Sequence, residues 1–298
     1  MPRRPEVIVT DVTLREHGQN VPASQLSRFT PSSRAELALA LRDAGFVRIE
    51  VLSCVSPKVA PAMVLEQLAA VARAMGRLDG VEVVTLAPNL RGYASFCQLG
   101  LGNDGLHHTV GVFHSAVEQH NIVNLGVSID ESVTGMRAVA RRALADGTPV
   151  SAYVAAAFGY REEGRIFRVN QRELADHVRR CFDMGARMVT LSDLQGLADE
   201  QETRRLWEWV LDLDGGAYAS RLGYHAHHVE PQRAVDLVEA AFRAGVRCFD
   251  TSLLSTGGCV TGAPGNAPTE GVLRRLHLLH AQTGVDRQAV AALAPPWS

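Results

Sequence analysis

The feature that most restricts what this chain can fold into is a rhythm. A short run of β-branched and apolar residues is followed by an amphipathic helical stretch, and the pair recurs along almost the whole length. The runs cover 7–14, 48–53, 82–87, 106–113, 149–157, 187–194, 222–229 and 247–254, which makes eight candidate strands. Between them lie helical segments such as 32–41, which opens on serine as a cap. Gly45, Gly185 and Gly245 each stand where a helix must stop directly before a strand, as a tight turn between the two requires. Eight such units close into a (β/α)8 TIM barrel, an α/β fold. The competing architecture, an open doubly wound sheet, should carry Gly-x-Gly-x-x-Gly after its first strand, and 10–18 contains nothing of the kind.

Length agrees with the barrel, which uses roughly 250 residues as one unit. The 298 residues are therefore expected to form a single catalytic domain, with the barrel over about 7–284 and a short tail at 285–298. Lys and Arg number 30 against 32 Asp and Glu, a formal charge of -2 with no basic stripe, which excludes nucleic acid as the main partner. No apolar run approaches the roughly 20 residues that cross a bilayer, and the amino-terminal stretch lacks a hydrophobic signal segment. The expectation is a cytoplasmic protein without a membrane partner. Five cysteines, at 54, 97, 181, 248 and 259, form no Cys-x-x-Cys pair, so reduced thiols are expected.

In such a barrel the chemistry sits at the carboxyl ends of the strands, where the loops converge on the axis. The first strand runs out through Asp11, Arg15 and Glu16. Glu50 lies among apolar neighbours in the second, so its charge needs a partner, with an arginine across the core as the plain reading. Asp193 ends the sixth. In the seventh, His225 and His227 are two apart and project to one side, whereas His228 points the other way. Two such imidazoles either share a metal or are hydrogen-bonded packing. After the eighth strand, 256–266 is rich in glycine and delivers Cys259 and Asn266.

Together, Glu16, His225, His227 and the Asn266 oxygen make a mixed oxygen and nitrogen set suited to a divalent cation. Mg²⁺ or Mn²⁺ matches best, and Zn²⁺ is compatible with these donor types. Cys259 has no second cysteine near it and reads as a reacting thiol. His107, His108, His114 and His120 fall in a long stretch at 101–125 and read as packing or solvated residues.

These residues also carry a resemblance. Asp11 to Asn20, Ile49-Glu50, Val55-Ser56-Pro57-Lys58, Leu86 to Gly92, His225-x-His227 and Gly257-Gly258-Cys259 leading to Gly265-Asn266 make the chain similar to 3-hydroxy-3-methylglutaryl-CoA lyase. It is thereby identified as a member of the DRE-TIM metallolyase barrels, which also include isopropylmalate and homocitrate synthases. The resemblance spans about 7–284, and its Ser-Pro-Lys segment points to the lyase branch.

It implies that Glu16, His225, His227 and Asn266 hold the metal and that Arg15 steadies a thioester enolate. Glu50 and Asp193 fall on acidic positions linked to catalysis, His225 or Asp193 would relay the hydroxyl proton, and Cys259 falls on the proton-transfer thiol. The implied reaction is cleavage of a 3-hydroxy acyl thioester or a related hydroxy acid, by a homodimer. Two other readings stay open: a Claisen-type or aldol condensation on the same site, and a non-catalytic metal-binding barrel with an assembly or regulatory role.

Departures from the pattern surround the site. His228-Val229-Glu230-Pro231 replaces an acid and a glycine, Ala155-Ala156 replaces Ser-Cys, and Tyr160-Arg161 replaces Cys-Pro. Ser151 stands where arginine is typical, Leu194 replaces threonine, and the loop between Cys259 and Asn266 is short. The substrate pocket is therefore expected to be this chain's own.

Overall fold

The computed structural model of the protein describes residues 4–58, 60–258, 263–293 and 295. Strands β1 (Ile8–Asp11), β2 (Arg48–Ser53), β3 (Glu82–Leu86), β4 (Thr109–Ser115), β5 (Val150–Ala155), β6 (Met188–Asp193), β7 (Leu222–Ala226) and β8 (Cys248–Thr251) form a closed parallel ring. Each pairs with its neighbours in sequence, and β1 closes on β8 through Ile8–Cys248 to Asp11–Thr251. The (β/α)8 barrel that the rhythm implies is the fold.

The helices that return the chain between strands are α2 (Pro31–Asp43), α3 (Leu65–Met75), α4 (Leu90–Gln98), α6 (Ile129–Ala145), α7 (Gln171–Asp183), α8 (Glu200–Leu211) and α9 (Pro231–Ala244), with α10 (Thr269–Leu278) after β8. Two more, α1 (Thr13–Gln19) and α5 (Glu118–Leu125), follow directly on β1 and β4, and α11 (Arg287–Ala292) is the last helix among the described residues. A small antiparallel hairpin, Tyr160–Glu162 with Arg165–Phe167, follows β5.

Local chemistry explains these boundaries. Thr30, not a serine, caps α2: its hydroxyl accepts the Ser33 N–H while the Ser33 side chain takes the Thr30 N–H. The same reciprocal arrangement starts α6 at Ser128, α7 at Asn170 and α8 at Asp199. Gly45 adopts φ +93° in the turn into β2, and a Cβ there would meet the Gly284 carbonyl oxygen at 2.4 Å.

The sheet separates two environments. Val9, Ile49, Val83, Val110, Val112, Val154, Leu191 and Phe249 are buried in the apolar core that the barrel shares with its helices. The barrel interior is polar: Arg48 reaches across the axis to the Ser151 hydroxyl at 3.1 Å and lies 3.4 Å from the Glu82 carboxylate. Arg48 thus puts a guanidinium beside the Ser151 hydroxyl of the opposite strand. A bulge interrupts the β2–β3 register immediately after Glu50, the kind of irregularity that re-aims side chains at a barrel rim.

Candidate active site

The site begins where β1 gives way to α1 without a loop. Asp11 ties the junction together: its carboxylate accepts the Thr13 N–H and the Thr13 hydroxyl, each at 3.0 Å. Buried α1 then carries Arg15 and Glu16 over the end of the barrel. The Arg15 Nε donates to Glu50 Oε2 at 2.6 Å, and a terminal Arg15 nitrogen lies on Glu16 Oε1. The Tyr153 hydroxyl, from the far side of the barrel, donates to the other Glu50 oxygen. Glu50 is only 1% exposed, so its charge relies on the Arg15 guanidinium and the Tyr153 hydrogen bond, with the buried Arg48 guanidinium also acting on it. The arginine partner that the sequence suggests for Glu50 is therefore Arg15. Burial alone would lower the Arg15 pKa, but Glu16 and Glu50 outweigh it and raise it. Burial beside Glu50 raises Tyr153, which keeps its proton.

On the opposite side of Glu16 stand the imidazoles. The strand that presents them ends at Ala226, one residue before His227, which forms an isolated bridge with Asn266. The two rings nonetheless meet, with centroids 4.6 Å apart, and His225 Nε2 lies 3.7 Å from Glu16 Oε1. His227 Nδ1 is 2.9 Å from the Pro264 carbonyl. A carbonyl only accepts, so Nδ1 carries the proton and Nε2 keeps its lone pair. His225 Nδ1 is 3.1 Å from Asp250 Oδ2, which fixes that ring the same way. Burial, with His225 alongside, lowers the His227 pKa to about 4, so the ring is neutral at physiological pH. Burial would raise Glu16, yet Arg15 and the two histidines pull it down to about 2.

The glycine-rich loop makes the approach possible. A Cβ on Gly257, at φ +99°, would strike the Glu16 Cβ at 2.6 Å and the Asn266 amide at 2.7 Å. The Gly258 N–H donates to Glu16. Asn266 is held by its own Nδ2, which donates to the Thr256 carbonyl at 2.8 Å. Its Oδ1 is buried and has no hydrogen-bond partner, an expensive arrangement unless that oxygen has a ligand. A carboxylate, two Nε2 lone pairs and an orphaned amide oxygen are a donor set that fits a divalent cation. Among the described residues no three His, Cys, Asp or Glu side chains stand as a closed metal cluster; the Arg15 guanidinium lies against Glu16.

Arg15, Glu16, Tyr153, His225 and His227 line one cavity of about 280 Å³, whose other walls include Leu86, Phe113, Ala155 and Leu194. Asp193 lies elsewhere. Its oxygens accept the N–H groups of Leu197 and Ala198 at 2.9 and 3.1 Å, so the carboxylate holds the loop after β6, and burial raises its pKa to about 6. Cys259 falls outside the described residues. Of the four histidines of 101–125, His108 bonds Thr85, His114 bonds His177 and exposed His107 lies beside Arg77. His120 joins the cavity wall with its ring against Tyr160. The His228 ring turns away and accepts the Glu230 N–H.

Two important side chains, Tyr153 and Asp250, escape sequence reasoning. Each sits in an ordinary strand, and its partner, Glu50 or His225, is 103 or 25 residues away. Only the alternation that turns them inward along with Ser151 and Cys248 hints at them.

A family model described as HMGL-like matches residues 6–295. Among curated proteins, the hydroxymethylglutaryl-CoA lyase of Pseudomonas mevalonii is 33% identical over 263 residues, 87% of this chain and 82% of that protein. The mitochondrial hydroxymethylglutaryl-CoA lyase of Arabidopsis thaliana is 30% identical over 257 residues, 86% of this chain, which spans about half (52%) of that longer protein. The (R)-citramalyl-CoA lyase of Chloroflexus aurantiacus is 28% identical over 301 residues, 98% of this chain and 89% of the relative. Among solved structures, the HMG-CoA lyase of Bacillus subtilis superposes with a TM-score of 0.84 at 26% identity, covering 97% of this chain and 92% of the other.

Proposed function

The chain belongs to the HMGL-like family, and from that premise we propose that it is a divalent-cation-dependent carbon–carbon lyase of 3-hydroxyacyl-CoA thioesters. Cleavage removes the proton of the 3-hydroxyl and breaks the C2–C3 bond. C3 becomes a carbonyl, and the electron pair collects on the thioester as an enolate whose C2 is then protonated. Glu16, His225, His227 and Asn266 are the residues that would hold the cation, Mg²⁺ or Mn²⁺ by donor type. When bound, it supplies Lewis acidity that lowers the pKa of the substrate hydroxyl and orients it.

The remaining work falls to the chain's own groups. Tyr153 faces the cavity with its proton already directed at Glu50. Its oxygen is placed to take the hydroxyl proton while its own proton passes to the Glu50 carboxylate. Arg15, oriented by Glu50 through Nε, turns its remaining N–H groups to the enolate oxygen. Because Asp193 is committed to backbone N–H groups and its own carbonyl accepts the His227 N–H at 3.2 Å, we assign it to positioning that loop and imidazole. Cys259 is the proposed donor of the proton to C2.

The observations that support this reading are the buried, unpartnered side-chain oxygen of Asn266, a residue bridged to His227 through the backbone, the 3.7 Å approach of His225 to Glu16, and the Arg15–Glu50–Tyr153 cluster that begins at Glu16. The test is to strip the protein with chelator, restore Mn²⁺ or Mg²⁺, and offer hydroxymethylglutaryl-CoA and citramalyl-CoA, with products followed by mass spectrometry. Metal-dependent release of acetyl-CoA from either supports the proposal. Absence of carbon–carbon cleavage across a panel of 3-hydroxyacyl-CoA compounds overturns it.

A further inference from the structure

Ser192 ends the cavity-facing side of β6 and is the register neighbour of His225 on β7. The residue is only 7% exposed, it lines the cavity, and its hydroxyl has no hydrogen-bond partner. A buried hydroxyl left unpaired costs stability unless a ligand satisfies it. Ala155, Leu194, Phe113 and Leu86 make apolar walls of the cavity, while Ser56, Asn89 and Asn124 line it from the segments that follow β2, β3 and β4. Arg15 is the one Lys or Arg among the described residues of the wall, and the proposed reaction already assigns its remaining N–H groups to the enolate oxygen.

The placement of the two ends of the cavity assigns the missing partner, given the lyase reading on which this step rests. The thioester oxygen goes to Arg15 on the β1–β2 side, and the 3-hydroxyl goes to Tyr153. The half of the substrate that leaves as a carbonyl compound then lies along β5 and β6, against Ser192. We infer that the Ser192 hydroxyl donates to a carboxylate oxygen carried by that half, and so selects 3-hydroxyacyl thioesters with a carboxylate close to C3 over those without one. A hydroxyl donating to a carboxylate makes a charge-assisted hydrogen bond, and Ser192, the register neighbour of His225, has its hydroxyl unpartnered. Ser192 is thus a specificity-determining residue that touches the substrate without touching the bond that breaks.

The test uses Ser192→Ala and Ser192→Thr, the second keeping the hydroxyl. Mn²⁺-loaded proteins are titrated calorimetrically with acetoacetate and with acetoacetamide, which lacks the charge. Ser192→Ala should weaken acetoacetate roughly tenfold, leave acetoacetamide within about twofold, and be restored by Ser192→Thr. With hydroxymethylglutaryl-CoA the same variant should raise KM by roughly tenfold while kcat changes less. Equal weakening of both ligands, unchanged acetoacetate binding in Ser192→Ala, or no acetoacetate binding to the unmutated protein overturns the inference. If the unmutated protein cleaves no 3-hydroxyacyl-CoA, the lyase reading fails, while the titrations still decide whether Ser192 reads a carboxylate.

Discussion

Asp11 holds the turn from β1 into α1 at a cost that depends on pH. Burial raises its pKa from 3.8 to about 7, against the opposing hydrogen bonds from Thr13 and Thr269. The folded chain therefore keeps this proton to higher pH than the unfolded chain does. Its stabilising contribution is complete below about 3.8, declines as pH rises, and is gone above about 7. Asp11→Asn keeps an acceptor and removes the charge, so its stability relative to the unmutated protein should rise by about 2–3 kcal/mol between pH 5 and pH 8. Urea melts at the two pH values measure this, and parallel behaviour of the two proteins would refute it. Chemistry at the site is equally local: Tyr153→Phe should lower kcat by about 10²–10³-fold with little change in cation affinity, and Glu50→Gln should do the same. Glu16, His225 and His227 could be singled out in the sequence because strand ends and a two-residue spacing mark them, and Asn266 because a glycine-rich loop delivers it after the eighth strand. Tyr153 and Asp250 could not, since each takes its meaning from a partner on another strand.

At the scale of elements, periodicity located the strands but not all of their ends. The run 7–14 reads as one strand, yet β1 stops at Asp11 because the Asp11–Thr13 hydrogen bonds start α1 at once. The run 106–113 is displaced to Thr109–Ser115, since 102–108 is folded back by backbone bonds such as His108 N–H to the Leu101 carbonyl. The run 222–229 shortens to Leu222–Ala226, and His227 is held by the loop that carries Asn266 rather than by the sheet. Loops that close over a site from distant parts of the chain leave no periodic trace. The helix stops were legible, and Gly45 shows why they matter. Gly45→Ala combines φ +93° with a Cβ 2.4 Å from the Gly284 oxygen, whereas Gly126→Ala has φ +73° and open space. Chemical denaturation should show Gly126→Ala costing about 1 kcal/mol. Gly45→Ala should cost at least about 1 kcal/mol more, because backbone must also move; equal losses would contradict the crowding.

For the whole molecule, the barrel was legible because each strand–helix unit repeats the same physical problem, burying one face of a strand under one face of a helix. The polar interior was harder to read, since Arg48, Ser151, Glu82 and Asp250 balance one another only once the ring is closed. No described helix is long and apolar enough to cross a membrane. One consequence concerns global stability. A cation that binds the folded protein alone should stabilise it by about 2.7 kcal/mol at a hundredfold excess over Kd. Mn²⁺ should therefore raise the melting midpoint by several degrees, reversibly with chelator, and His227→Ala should abolish the effect. Anomalous diffraction from crystals soaked in manganese decides whether Glu16, His225, His227 and Asn266 hold the cation. One strong peak is expected, bonded to Glu16, to the Nε2 atoms of His225 and His227, and to Asn266 Oδ1, with the Arg15 guanidinium displaced from Glu16. A peak at other residues, or none at these four, would contradict that assignment.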